Sequence, residues 1–441
     1  MEIVAVGGYS EIGKNMTLVV SNGEAVIVDM GIHLENYIQM KGDEDIELYS
    51  EDELIKAGAV PDDTKIAEFV EKVVAIVPSH AHLDHIGAIP YLAKKYKAPI
   101  VSTPFTIAVI KAILADKGIE LPNPLVAIPE NKKITLSKHF ALELINVTHS
   151  TPQSSIVVLH TPEGQFAYTN DFKLDKTPTL GERTNYARLK EIGDLGHLKA
   201  LVVDSLYSDT PGRTLSEAGA RKKVEEALDA ARDSNAILFT TFSSHIARLR
   251  AAIEIAHDIG RKPVLLGRSL ARYVAAAEEV GIVKFSTNAQ VTGFKDKMAK
   301  LLKDIQHDKK DYLLIVTGHQ GEPDSVLSRI ADGSLPLKLG EGDSVIFSCN
   351  VIPSDINRAN RDAIEAKLTS LGVNLFKDVH ASGHASIEDH KEMIQLLRPQ
   401  VVIPGHVPPE RAKDMEKIAC ELGYEKRKGV HILEDGKRVE V

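Results

Sequence analysis

The sequence predicts an α/β protein of two domains, the second inserted into the first. Three observations carry that expectation. Potential metal ligands recur just past strand-like apolar runs as far as residue 205, longer helices and basic residues take over from about 206 to 372, and ligand-bearing strand ends then return. An insertion explains the return most economically, since both ends of the chain then build one sandwich with one rim of ligands.

Composition narrows the possible functions. A chain of 441 residues with 43% hydrophobic content can bury a large core. It holds no apolar run of about 18 residues and passes from Met1 straight into the strand-like 2–6 without a signal peptide. A soluble cytoplasmic protein with no membrane partner is therefore expected. Two cysteines, Cys349 and Cys420, exclude a disulfide framework and a cysteine-ligated zinc knot, so any metal must sit on His and Asp. The net charge of −9 argues against indiscriminate nucleic-acid binding, because phosphate affinity rests on Lys and Arg. That charge is uneven: the segment 206–372 has roughly 23 basic and 22 acidic residues, so the acidic excess lies outside it. Arg261, Lys262, Arg268, Arg272, Lys284, Lys295, Lys297, Lys300 and Lys303 are opposed over their interval only by Glu278, Glu279 and Asp296. The pattern fits a basic wall or a solvated helix face equally.

Taken in order, strands over 2–6, 16–21 and 25–29 are split by Gly7-Gly8 and by the hairpin signal Asn22-Gly23. Asp29 closes the third strand, where a carboxylate either buttresses a nearby histidine or serves as an ordinary turn residue. The acidic, weakly periodic stretch 38–65 reads as a surface excursion. The apolar run 73–77 then delivers Ser79-His80-Ala81-His82-Leu83-Asp84-His85, with four potential ligands in six residues. A tight turn after a buried strand can aim His80 and His82 at one point and Asp84 and His85 at another, whereas a merely polar turn needs no such density. Helices over 86–96 and 106–114 flank a short strand at 100–101. Strands over 142–147, 165–168 and 200–205 end at Thr148-His149-Ser150, Thr169-Asn170-Asp171 and Asp204-Ser205.

The middle segment alternates helices over 215–232, 245–259, 272–279 and 294–302 with strands over 236–240, 264–266, 313–316 and 345–347, which suits a parallel sheet. Thr240-Thr241-Phe242-Ser243-Ser244 and Thr317-Gly318-His319-Gln320-Gly321-Glu322-Pro323 each follow a buried strand. Backbone amides and hydroxyls can form a small anion pocket there. Near the end, Asp378-Val379-His380-Ala381-Ser382-Gly383-His384 and then Pro404-Gly405-His406 restore the ligand pattern.

Collected, His80, His82 and His149 suit one ion, and Asp84, His85 and His406 a second, with the Asp171 carboxylate able to bridge them. Two cations about 4 Å apart can ready a water and neutralise phosphoryl charge in a phosphoester displacement. His384 and Asp204 remain. A histidine held by a carboxylate could contact the scissile phosphate or protonate the leaving oxygen, and both residues could equally be structural hydrogen-bond partners.

At these residues the chain resembles metallo-β-lactamase-fold nucleases of the β-CASP group, and among them the ribonuclease J family. Gly7-Gly8-Tyr9-Ser10-Glu11-Ile12-Gly13-Lys14-Asn15-Met16 is close to the family's opening, with Ser10 in place of a glycine. Asp29, His80 to His85, His149 and Asp171 match the fold-defining motifs, and Asp204, His384 and His406 match those of the inserted nuclease domain. His319 stands where the family usually has serine. The chain ends soon after His406, like the shorter archaeal forms.

The resemblance implies a four-layer αββα metallo-β-lactamase sandwich built from 1–205 and 373–441, with an α/β β-CASP domain inserted at 206–372. It implies a zinc-dependent 5′-to-3′ exoribonuclease of single-stranded RNA that prefers 5′-monophosphate ends and acts in RNA processing and decay. Two Zn2+ per subunit, with Mn2+ or Mg2+ as substitutes, would be held by His80, His82, Asp84, His85, His149, Asp171 and His406. Asp84, Asp204 and His384 would be catalytic, while Ser243, Ser244, His380, Ser382 and His384 would hold the terminal phosphate. A homodimer is expected, with RNA passing between the domains over aromatics such as Phe242 or Tyr37. Competing readings are an RNA endonuclease similar to mRNA 3′-end processing factors, a small-ester or lactam hydrolase, and a non-catalytic RNA-binding scaffold.

Overall fold

The computed structural model describes residues 1–41, 49–169 and 171–441. It divides into two compact units, one of Met1–Lys176, Gly181–Thr214 and Gly383–Val441, the other of Thr177–Leu180 and Leu215–Ser382. These divisions differ from residues 206 and 372. The stretch 206–214 stays with the first unit because Leu206 packs on Val407 and Ala412, and the Thr214 hydroxyl donates to the His384 carbonyl at 2.7 Å. The stretch 373–382 stays with the second because Asn374–Phe376 adds a parallel strand to Ser344–Phe347.

In the first unit the strands obey the two-residue period of a pleated sheet. Leu142, Leu144, Phe166, Tyr168, Ala200 and Val202 enter a core shared with Val26, Val28, Ala75 and Val77 of the facing sheet. Their neighbours Ile145, Ala167, Leu201 and Val203 instead meet Leu189, Ile192, Met393, Ile394 and Met415 on helices Tyr186–Leu195, Ile387–Leu397 and Pro409–Glu421. Helix Pro104–Lys117 packs on the other sheet, completing the four layers. One sheet runs Arg438–Glu440, Glu2–Gly7, Met16–Ser21, Glu24–Val28, Val73–Val77, Ile100–Ser102, Leu125–Ala127; the other runs Val401–Gly405, Leu198–Asp204, Gly164–Tyr168, Ser155–Thr161, Ala141–Asn146, Lys132–Thr135. Each sheet thus takes a strand from the C-terminal part.

The parallel pairs position the site. Glu24–Val28 runs parallel to Val73–Val77, and Gly164–Tyr168, Leu198–Asp204 and Val401–Gly405 are parallel to one another. Parallel strands present their carboxyl ends at the same edge of a sheet, so Asp29 and His80 leave one sheet and Asp171, Asp204 and His406 the other at matched positions.

Two local expectations are corrected. The helix over 86–96 is broken into Leu83–Ile86, Ile89–Leu92 and the short Ala93–Lys95, with Gly87 at the first break and Pro90 in the first turn of the second piece. The stretch 38–65 is not simply an excursion: Leu54, Ala59, Val60 and Asp63 are buried, and Asp63 accepts bonds from Lys95 Nζ at 2.7 Å and Tyr96 Oη at 2.8 Å. Positions 42–48 of that stretch, and Asn170 of the later turn, lie outside the described residues. No helix among the described residues is long and apolar enough to cross a membrane.

A charged group ties the second sheet to its helices. Glu143, 5% exposed, takes a two-pronged bond from Arg188 at 2.7 and 3.0 Å and contacts His160 Nε2 at 2.9 Å. Burial opposes its charge, but the bonds from His160 and Arg188 outweigh burial and bring its pKa down from 4.5 to about 2. A depressed carboxylate stabilises the fold above its unfolded value and loses that effect as pH falls through the folded one. Glu143→Gln is accordingly expected to cost on the order of 1–2 kcal/mol at pH 7, screened by partial solvent access, and almost nothing near pH 2. Urea melts at both pH values check it; an equal cost at both would refute it.

The second unit is a six-stranded parallel sheet in the order Gln290–Thr292, Lys262–Leu266, Tyr312–Val316, Ile237–Thr240, Ser344–Phe347, Asn374–Phe376. Its core joins Leu238, Val264, Leu314 and Val345 to Met298, Leu302, Leu327 and Leu368 of the covering helices. Arg261 leaves the proposed basic wall: it is 5% exposed and donates to the carbonyls of Arg232, Ser234 and Tyr312. Lys295, Lys297, Lys300 and Lys303 are exposed on helix Lys295–Ile305.

Candidate metal centre and nuclease site

The site is built on the loop after Val73–Val77. Asp29, held at φ 60°, turns both oxygens to that loop. Oδ1 accepts the Ser79 amide at 2.7 Å, and Oδ2 accepts the Ser79 hydroxyl at 3.0 Å and His85 Nδ1–H at 2.6 Å. Asp29 therefore acts as a buttress. Gly31 lets the loop approach closely, since a Cβ there would lie 1.6 Å from the Asp84 carbonyl oxygen.

Three histidines are pinned at one ring nitrogen and offer the other. His80 Nδ1 lies 3.0 Å from Ser79 Oγ, His85 Nδ1 is on Asp29, and His149 Nδ1 donates to the Gly383 carbonyl at 2.7 Å. Such outer partners fix tautomer and ring orientation in metal sites. The free nitrogens converge: His80 Nε2 and His149 Nε2 lie 3.1 and 3.2 Å from His82 Nδ1, and each is 3.8 Å from Asp171 Oδ2. Nitrogens about 3.3 Å apart form the edges of a tetrahedron with the ~2.05 Å bonds of zinc to imidazole.

A second set faces the other oxygen of Asp171. His85 Nε2 lies 3.3 Å from Asp171 Oδ1 and 3.6 Å from Asp84 Oδ2, and His406 Nε2 lies 3.8 Å from the same Asp84 oxygen. Among the described residues Asp171 Oδ1 is buried with no hydrogen-bond partner, a cost that a cation would remove. Each set could hold an ion, and Asp171, His384 and His406 form a third overlapping group.

The electrostatics agree at the first set, whereas at His85 burial is outweighed by Asp171, Asp29 and Asp84, which hold the ring well above the usual histidine range. Burial, then the neighbouring imidazoles, hold His80 and His149 well below the usual histidine range, and burial brings His82 down to about 4. These rings are neutral at pH 7, as metal binding requires. Burial opposes the charge of Asp171, but His406, His85 and His384 outweigh it and keep the carboxyl well below its ordinary value. His384 is different. Its Nδ1 donates to Asp204 Oδ2 at 2.8 Å, and its Nε2 lies 3.8 Å from Asp171 Oδ2. Burial lowers its pKa, yet Asp204 and then Asp171 raise it to about 9.

The chain is 43% identical to "Ribonuclease J" of Methanocaldococcus jannaschii over 99% of its length and 98% of that protein's. It is 43% identical to "Ribonuclease J" of Pyrococcus abyssi over 100% of its length and 97% of that protein's. The chain belongs to the ribonuclease J family. Family models match in three places: the metallo-beta-lactamase superfamily over 10–238, the ribonuclease J beta-CASP domain over 234–366, and a Zn-dependent metallo-hydrolase RNA specificity domain over 372–431. A more distant relative, "Ribonuclease J" of Thermus thermophilus, is 32% identical over 92% of the chain and 68% of its own length. Among solved structures, a protein of unknown function from Enterococcus faecalis V583 aligns with TM-score 0.65 and 20% identity over 99% of both chains, a likeness of fold. This member of the family is thus a nuclease built as a metallo-β-lactamase domain with an inserted β-CASP domain.

In the second unit, Thr240, Val316 and Phe347 stand in register, so the loops that follow them emerge along one edge. Parallel sheets bind ligands outside such carboxyl ends. Ser243 Oγ lies 2.8 Å from Ser269 Oγ, Ser244 is buried, and Ser382 is half-buried. The ring of Phe242 packs against His319 at 4.3 Å and His380 at 6.3 Å, and His380 Nδ1 donates to the Ser348 carbonyl at 3.3 Å. Tyr37, in the first unit, has its hydroxyl bonded to Tyr91 and Lys117, both at 2.7 Å, so it serves packing.

Sequence reading missed Asn15 and the Gly383 carbonyl. Neither has a spacing signal, since one is an amide in a glycine-rich turn and the other a backbone group.

Proposed function

We propose that the protein is a two-zinc 5′-to-3′ exoribonuclease of single-stranded cytoplasmic RNA that prefers 5′-monophosphate ends and works as a homodimer. The observation that carries the reading is Asp171, whose two oxygens each face a separate set of imidazole nitrogens. His80, His82, His149 and Asp171 would hold one ion, and Asp84, His85, His406 and Asp171 the other. When bound, such a pair supplies Lewis acidity for water activation and for phosphoryl charge neutralisation.

The chain's own groups do the rest. Asp84 orients the reacting water, and His384 keeps a proton on Nε2 for the departing ribose oxygen while Asp204 holds its ring. Ser243, Ser244, His380 and Ser382 of the second unit would hold the terminal phosphate. RNA labelled at a 5′-monophosphate, 5′-triphosphate or 5′-hydroxyl tests the reading. Immediate release of labelled mononucleotide is expected, about tenfold faster from the monophosphate, the effect of one charge-assisted contact. Early internal fragments, or equal rates from all three ends, would defeat it.

A further inference from the structure

The candidate ligand His406 sits in an unusual local conformation. Its φ is 65°, in the left-handed region that a non-glycine residue seldom adopts, so its surroundings must hold it there. One contact is backbone: His406 N–H donates to the Gly8 carbonyl at 2.7 Å. The other is Asn15, 2% exposed, whose Oδ1 and Nδ2 lie 3.0 and 2.8 Å from His406 Nδ1. Nδ2 also lies 3.1 Å from the Asp84 carbonyl and 3.1 Å from His85 Nε2.

The Asp84 carbonyl accepts and cannot donate, which sets the amide with Nδ2 toward it and leaves Oδ1 to accept from His406 Nδ1–H. The Asn15 backbone is fixed as well, its N–H on the Asp84 carbonyl at 2.9 Å and its own carbonyl taking the Gly31 N–H at 3.0 Å. Gly8 supplies the room, since a Cβ there would lie 2.4 Å from Asn15 Oδ1. One amide therefore touches every member of the second set: Asp84 through its backbone, His85 and His406 through their rings.

Building on the two-ion reading, we propose that Asn15 is a positioning residue for the second ion. It takes the Nδ1 proton of His406 and so leaves Nε2 as the ligand atom. His85, His80 and His149 use a carboxylate, a hydroxyl and a backbone carbonyl for this purpose; His406 uses a side-chain amide.

Zn2+ titrated against a chromophoric chelator, with bound zinc counted per chain after dialysis, tests the assignment. The wild-type chain should bind two ions. In Asn15→Ala one of them should be held about 10–100-fold more weakly with the other unchanged. Asn15→Asp keeps the acceptor for His406 Nδ1 but turns a second oxygen toward the Asp84 carbonyl, so it should hold that ion more weakly than the wild type and more tightly than Asn15→Ala. Unchanged affinity in Asn15→Ala, or equal weakening in both variants, overturns the assignment. Loss of both ions with a lower melting temperature of the chelated Asn15→Ala chain also overturns it, because the role is then structural. A wild-type chain that binds fewer than two ions fails the two-ion reading first, and this assignment with it.

Discussion

Asp171→Asn is expected to slow RNA cleavage by on the order of 10³-fold, about 4 kcal/mol of barrier, while the sandwich stays folded. Both oxygens of Asp171 are in use: Oδ2 faces His80 and His149 at 3.8 Å, and Oδ1 faces His85 at 3.3 Å. An amide of the same volume offers one oxygen and no charge. One set of ligands then loses its anionic member, and an N–H group points into the space where lone pairs converge. The folded core should tolerate the change because the polar chain is replaced by an isostere and the strands on either side are held by their own ladders. RNA cleavage measured with excess Zn2+, beside circular dichroism of the same sample, checks the expectation. Cleavage within about tenfold of the unsubstituted chain would remove the bridging role.

Arg248→Met should destabilise the second unit by about 3–5 kcal/mol, because it strands a buried carboxylate. Arg248 is fully buried and forms a fork on Glu217, Nε to Oε1 at 2.8 Å and Nη2 to Oε2 at 3.1 Å. Its Nη1 donates to Ser348 Oγ at 2.6 Å, and that hydroxyl donates to the Val379 carbonyl at 2.6 Å. Burial opposes the charge of Glu217, but His245 and Arg248 outweigh it and keep the carboxyl well below 4.5. The contribution is therefore present above about pH 4.5 and fades as pH falls further. Replacing both partners, Arg248→Met with Glu217→Leu, should recover most of the loss, since no orphan charge remains. Urea melts of the two single variants and the double variant form the cycle; a double variant as unstable as the sum of the singles would refute the pairing. The same network anchors the backbone just before His380.

How much of this could be read without coordinates depended on the range of the interaction. The cluster from His80 to His85 was legible because a turn after a buried strand is local, and the observed split of His80 and His82 from Asp84 and His85 follows that turn. The parallel sheet of the second unit was legible from alternating helices and strands. The helix over 86–96 was misread because apolar spacing outweighed Gly87 and Pro90, and Arg261 was assigned to a surface because charge was counted without its carbonyl partners. The buried part of 38–65 was missed for a related reason, as Asp63 pays for its burial with Lys95 and Tyr96.

Residue types and their order along the chain determined which atoms could bind a cation, and that cysteine took no part. His80 is held by its neighbour Ser79, but which nitrogen His85, His149 and His406 present was decided only in the folded protein. Asp29 reaches His85 across 56 positions, Gly383 reaches His149 across 234, and Asn15 reaches His406 across 391. A hydrogen bond depends on separation in space, and a tautomer is set by the one atom at its far side, so no local pattern of residues can carry that information.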